Sequence, residues 1–367
     1  MQALVLAGGE GTRLRPLTST IPKPVVPLAG KPFIVYMLEW LRSHGVTEVI
    51  LACGFMADDV RGVLGDGGAI GLRLLYVEEP RPLGTGGALK FAQELLQERF
   101  LMLNGDVLTD IDLAAQLRQH EATGASATLA LVHVADPSAY GLVLLDDDRS
   151  VRAFLEKPGK RARGRADTGH NGAGGPNLIN AGVYVLERDV LEYILPAGTP
   201  SSIEHDVFPR LVGKGLFGHP ASGYWLDIGT PERYLEATFD LLDGTAGPGA
   251  AAAPAKQPGK TIDPVLIEAG CRIGQGATVG PYVVLGPDVF VGDGARIERA
   301  VMLEGAAVGA DSTVCEAIVG PRAQIGDDCH LQRDVVLGEG ATIASGSALP
   351  SGARIFPGVE VREGLNL

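Results

Sequence analysis

Apolar residues recur along the chain with two rhythms, and the change from one to the other divides it. Over roughly the first 240 residues, short β-rich runs alternate with stretches whose apolar side chains fall three and four positions apart. The runs at 3–7, 48–52, 73–77 and 100–103 read as strands, and 33–44, 87–97 and 113–120 as helices packed on a sheet face. Strand followed by helix, repeated, predicts an α/β domain with a mainly parallel sheet. Further β-rich runs at 127–134, 141–145, 151–156 and 181–186 are broken by turn residues, which predicts a mixed or antiparallel extension. Asp146-Asp147-Asp148, followed by Arg149-Ser150, has the composition of a hairpin turn rather than of an enclosed metal site.

Beyond residue 260 the period becomes six. Aliphatic residues stand at 267, 273, 279, 285, 291 and 297, resume at 308 and 314, and continue from 319 to 349 in steps of six, many followed directly by Gly. One inward aliphatic residue per side of each coil is the pattern of a hexapeptide-repeat β-helix, and neither an amphipathic helix nor a flat strand produces it. The step of eleven after Ile297 and the step of five after Val314 predict irregular corners. Between the two rhythms the chain is a run of Gly, Ala and Pro with the composition of a linker. The expected organisation is a first domain over 1–243, a linker over 244–260 and a repeat domain over 261–367.

Composition narrows the function. With 46% hydrophobic and 20% charged residues the chain can bury a sizeable core. Its 44 acidic and 31 basic residues give a net charge of −13, a field that repels nucleic acid and anionic membrane, so neither is an expected partner. No early apolar run approaches the length of a membrane helix and no basic segment precedes one, which predicts a cytoplasmic protein. Cys53, Cys271, Cys315 and Cys329 are far apart and form no C-x-x-C pair, so reduced thiols are expected rather than zinc ligands. The Gly-, Arg- and Asn-rich stretch 158–177 reads as a surface loop, while Lys160, Arg161, Arg163 and Arg165 would also suit a lid over a phosphate. A lone histidine in the repeats, His330, is weak support for acyl transfer there.

The chemistry concentrates after the first strand, in Gly8-Gly9-Glu10-Gly11-Thr12-Arg13. Glycines let backbone N–H groups approach a phosphate with no Cβ in the way. Neither the dinucleotide nor the P-loop fingerprint is present, since Leu14 stands where a third Gly would and no Gly-Lys-Ser/Thr follows. On the glycines alone, a tight turn is an equal reading. Arg13, and ten residues later Pro22-Lys23-Pro24, add two cations on a proline-stiffened loop, a clamp for a triphosphate. With these residues the sequence resembles the nucleotidyltransferases that make nucleotide sugars, whose signature is G-G-x-G-T-R-L-x-P-L-T followed by P-K-P. The resemblance continues through Pro82-Leu83-Gly84-Thr85-Gly86-Gly87, Asn104-Gly105-Asp106 and the segments 155–158, 180–182, 202–209 and 225–231. The repeat tail is similar to that of the branch that joins GTP to mannose 1-phosphate.

This resemblance implies a Rossmann-like nucleotidyltransferase domain followed by a left-handed parallel β-helix. It implies attack by a sugar 1-phosphate on the α-phosphorus of a nucleoside triphosphate, with release of pyrophosphate. GTP and mannose 1-phosphate are the expected pair, and thymidylyl or uridylyl transfer to glucose 1-phosphate is the alternative. Arg13 would grip the β- and γ-phosphates and Lys23 the α-phosphate, with the backbone of Gly8, Gly9, Gly11 and Thr12 around them. Gly84 and Thr85 would meet the nucleoside, although Thr85 suits a plain helix cap nearly as well. Asp106 and Asp227 would hold one Mg²⁺, their bland alternative being capping carboxylates. Gly141, Glu156, Lys157 and Asn180 would meet the sugar phosphate, with turn geometry the competing reading for Gly141 and Asn180. A homo-oligomer assembled through the β-helix is expected. A glycosyltransferase and a non-catalytic regulatory relative are the competing readings, and retention of Arg13, Lys23, Asp106, Lys157 and Asp227 argues against the latter.

Overall fold

The computed structural model describes residues 1–155, 177–246 and 259–362. They form two compact units, one of Met1–Gly9 with Met37–Trp225, the other of Glu10–Tyr36 with Leu226–Leu367. In the first unit a nine-stranded sheet holds β1 (Gln2–Leu6), β2 (Glu48–Cys53), β3 (Arg73–Glu78), β4 (Arg99–Asn104), β5 (Ala127–His133), β6 (Leu142–Leu145), β7 (Val151–Leu155), β8 (Leu178–Glu187) and β9 (Leu216–Pro220). Its main order is β7-β6-β8-β4-β1-β2-β3, with β5 paired to both β8 and β9. Strands β4, β1, β2 and β3 run parallel, as the strand and helix alternation predicts. The antiparallel extension enters at β8, which pairs antiparallel with β4, β5 and β6.

The helices follow the three-and-four spacing with shifted ends. Helix α1 covers Phe33–Ser43, α2 covers Ala57–Leu64, α3 covers Gly84–Phe91 and α4 covers Leu113–Thr123. Sequence periodicity missed α2, a two-turn helix that buries only Val60 and Leu64. It also misplaced α3, which begins at Gly84 rather than 87 and gives way after Phe91 to a tight turn over Gln93–Leu95. Three glycines make a poor helix start by propensity, and tertiary hydrogen bonds from outside the helix override that preference. The triple aspartate is a hairpin turn between β6 and β7: Asp146 N donates to Ser150 O and Arg149 N to Asp146 O, both at 2.9 Å.

In the second unit the six-residue rhythm becomes a left-handed parallel β-helix of three six-stranded sheets, all pairs parallel. Ile273, Val279, Leu285, Val291, Ile297 and their successors stack inward as one core. The step of eleven is filled by Met302, fully buried in that core, five residues after Ile297 and six before Val308. Both five-residue steps fall at one corner, where Arg299 and Glu316 each take a positive φ, 50° and 45°. Coils here are seventeen residues long, pairing Val283 with Ala300 and Val301 with Ile318, against eighteen for Val265 with Val283.

One sheet of the β-helix is apolar on both faces. Leu266, Val284, Val301, Ile318 and Val336 alternate with the inward residues and pair in a ladder, yet all are buried. Within this unit the hairpin formed by Pro27–Leu28 and Lys31–Pro32 lies against that face, with the Cβ position of Gly30 3.3 Å from Leu266 Cδ2. Helix α5 (Pro231–Asp243) belongs to the same unit, its Phe239 ring 5.4 Å from that of Tyr282 and its Glu232 3.5 Å from Arg354. Among the described residues no helix is long and apolar enough to cross a membrane.

Candidate functional site

The parallel strands end in a row of tight backbone contacts. Ala7 N donates to Ala52 O at 2.8 Å, just past β1, and the Gly8 Cβ position lies 3.2 Å from Gly54 N. Side chains at Gly8 or Gly54 would wedge these turns apart, while Gly9 borders open space. Glu79 follows β3 and accepts from Leu83 N at 2.9 Å through Oε2, with Oε1 beside Gly8. Burial pushes its carboxyl pKa up, against the pull of the Leu83 N–H. The carboxyl ends of parallel strands are where α/β sheets place ligands.

At the end of β4, Gly105 N donates to Leu6 O at 2.9 Å, and a Cβ at 105 would collide with that same carbonyl. Glycine is required there to bring half-buried Asp106 to the edge of β1. Next to it, β8 carries a bulge between Asn180 and Tyr184, with Gly182 at φ 72°. The Gly182 Cβ position is 2.8 Å from Asn104 Nδ2, so the bulge presses on the last residue of β4, two positions before Asp106. Asn180 N donates to Gly141 O at 2.9 Å, which joins the two expected sugar contacts. The side chain of Asn180 donates to Tyr184 Oη at 2.8 Å and accepts from Gly182 N at 3.1 Å. Trp225 donates to Ala181 O at 2.8 Å and meets Tyr140 edge-on at 5.5 Å, so an aromatic pair adjoins this bulge. Sequence reasoning named no role for Tyr140, whose pairing with Trp225 joins segments remote in the chain.

Of the remaining expected residues, Gly84 and Thr85 open α3 in the first unit, while Gly11, Thr12, Arg13, Lys23 and Asp227 lie in the second. Gly11, at φ 61°, accepts from Thr18 Oγ1 and from Leu14 N, both at 2.8 Å, and its Cβ position is 3.2 Å from Lys23 Cβ. The loop therefore folds Lys23 back onto the glycine turn that carries Thr12 and Arg13. Arg13 converges with Asp227 at Gly229, whose Cβ position is 2.5 Å from Arg13 Nη2 and 2.6 Å from Asp227 Oδ1. Gly11, Lys23, Arg13 and Asp227 are thus one constellation. Glu156, Lys157 and the basic residues Lys160, Arg161, Arg163 and Arg165 lie outside the described residues.

Residues 2–244 match the family described as Nucleotidyl transferase, and residues 261–366 the family described as GMPPB C-terminal domain. The chain belongs to the nucleotidyl transferase family. As a member it is an enzyme, and relatives along almost its whole length carry one activity in their names. The mannose-1-phosphate guanylyltransferase of Mycobacterium tuberculosis is 38% identical over 368 residues, covering 99% of this chain and 96% of the relative. The catalytic subunit beta of mannose-1-phosphate guanylyltransferase from Danio rerio is 37% identical, covering 87% of this chain and 86% of the relative. Among solved structures, HddC from Yersinia pseudotuberculosis in complex with GMP-PN superposes with a TM-score of 0.53 at 30% identity, covering 65% of this chain and 97% of HddC.

The donor chemistry of this nucleotidyltransferase fits a hard divalent cation. Asp106 and Asp227 offer carboxylate oxygens, and among the described residues no group of three or more His, Cys, Asp or Glu side chains forms a closed metal cage.

Proposed function

We propose that this enzyme transfers a guanylyl group from GTP to mannose 1-phosphate, giving GDP-mannose and pyrophosphate. The observation that carries the reading is the match to mannose-1-phosphate guanylyltransferases through both the catalytic region and the β-helix. The GMP-PN complex of HddC supports a guanine nucleotide. A phosphate oxygen of mannose 1-phosphate attacks the α-phosphorus, the bond to the bridging oxygen breaks, and pyrophosphate leaves in line. The obstacle is charge, since like unit charges 4 Å apart repel by about 4 kcal/mol at an effective dielectric of 20. Arg13 would neutralise the β- and γ-phosphates and Lys23 the α-phosphate, within the backbone cradle of Gly8, Gly9, Gly11 and Thr12. Gly84 and Thr85 would position the nucleoside, and Gly141, Glu156, Lys157 and Asn180 the sugar phosphate. Asp106 and Asp227 would hold Mg²⁺, which when bound supplies charge neutralisation to the phosphates.

Four cysteines, of which Cys53, Cys271 and Cys329 are buried, form no disulfide, which supports a cytoplasmic location. Assembly through the β-helix belongs to the same proposal. The test is pyrophosphate release in Mg²⁺ from GTP, dTTP, UTP, ATP and CTP, each with mannose, glucose and N-acetylglucosamine 1-phosphates. A GTP and mannose maximum is expected. A dTTP or UTP maximum with glucose would replace the substrate pair, and no release with any pair would overturn the reading.

A further inference from the structure

Residues 83–87 and 199–206 are laced together by more bonds than packing a short helix requires. Ser201 N donates to Leu83 O at 2.8 Å, and Gly86 N and Gly87 N donate to Ser201 O at 2.9 and 3.1 Å. Ile203 N donates to Thr85 Oγ1 at 2.9 Å, and Thr85 Oγ1 donates to Glu204 Oε2 at 2.6 Å. The same Glu204 oxygen accepts from Ser202 Oγ at 2.8 Å. Thr85 has one hydroxyl proton and gives it to Glu204, so its side chain is committed to this link rather than donating to a ligand. Short bonds to a carboxylate belong to the strong class.

The glycines of α3 exist for this approach. A Cβ at Gly84 would stand 2.6 Å from Ser201 O, at Gly86 3.0 Å from Ser201 Oγ, and at Gly87 2.9 Å from Thr199 O. Backbone proximity sets the distance between the two segments, and the Glu204 carboxylate fixes the first turn of α3 against them. A direct contact between Glu204 and the phosphates is unfavourable, because both are anionic.

We infer that Glu204 is a positioning residue for nucleotide binding, acting through the Thr85 hydroxyl to hold the backbone of Gly84 and Thr85 in one placement. The inference rests on the reading of that turn as part of the nucleotide site. The test is GTP binding at equilibrium to the full-length protein, together with steady-state kinetics. Glu204→Ala is expected to weaken GTP binding and raise the nucleotide KM by about tenfold, with kcat and the sugar-phosphate KM within about threefold of wild type. Thr85→Val should match it, and the double variant should lose about tenfold rather than about a hundredfold, since both changes cut one link. Glu204→Gln keeps an acceptor for the Thr85 hydroxyl and should stay within about threefold of wild type.

Additive losses in the double variant, a change confined to the sugar-phosphate KM, or wild-type GTP binding by Glu204→Ala would each overturn the inference. If Glu204→Ala does not fold, Thr85→Val with wild-type affinity overturns it equally. If the wild-type protein binds another triphosphate more tightly than GTP, the guanylyl reading fails, and the same cycle with that nucleotide decides the role of Glu204. A wild-type protein that binds no nucleoside triphosphate overturns both.

Discussion

Single residues carry the site through what they leave out as much as through what they present. At Gly229 the absent Cβ is the space in which Arg13 Nη2 and Asp227 Oδ1 converge. Gly229→Ala is therefore expected to displace the flexible guanidinium and lower kcat/KM by about a hundredfold, the scale of an ångström-level misplacement, with thermal stability little changed. Measured pyrophosphate release within a few-fold of wild type would refute that account. A second residue-scale prediction concerns His120, which is buried and bonded to Thr128 Oγ1 at 2.8 Å and Glu187 Oε1 at 3.1 Å. Burial holds its imidazole pKa below the ordinary value against the opposing pull of Glu187, and burial does the same to His219, aided by Arg149. Between the unfolded value near about 6.5 and the lower folded values, the unfolded chain binds more protons, so stability falls as pH drops through that window. Urea unfolding should show the loss between pH 7.5 and 5.5, and a shallower slope in the His120→Gln, His219→Gln double variant.

At the scale of elements, the β-helix shows how a sequence rhythm and its exceptions both have causes. Ile297 sits in the fully buried stack, directly before the shortened corner at Arg299. Ile297→Ala should cost about 2–5 kcal/mol, because stacked coils above and below limit how far the cavity can collapse. Chemical denaturation reads this directly, and a cost below about 1 kcal/mol would mean the corner relaxes into the space. Corner residues Tyr282, Arg299, Glu316 and Asp334 all take positive φ, and the Arg299 guanidinium lies 4.5 Å from the Phe239 ring and 5.2 Å from the Tyr282 ring. The missing residue in two coils thus coincides with the corner at which α5 meets the β-helix within this unit.

At the scale of the whole molecule, the compact unit that contains the β-helix also contains residues 10–36, with Arg13 and Lys23, and residues 226–246, with Asp227. A chain ending at residue 246 would strip the hairpin of the sheet face that carries Leu266, and α5 of the corner formed by Tyr282 and Arg299. It is expected to lose pyrophosphate release by more than about tenfold and to be cut by protease within 10–36, while full activity would show that this packing is dispensable for the site. The hexapeptide core, the parallel strands and the glycine turn after β1 were legible in the sequence, because each depends on periodicity or on local spacing. Tertiary structure alone decided the rest. The second apolar face of one β-helix sheet, the convergence of Arg13 with Asp227, the bulge that joins Asn180 to Gly141, and the commitment of Thr85 to Glu204 all pair residues remote in sequence. Local propensity fixes an element and the face it offers, whereas which remote backbone comes within 3 Å of that face depends on the packing of the complete chain.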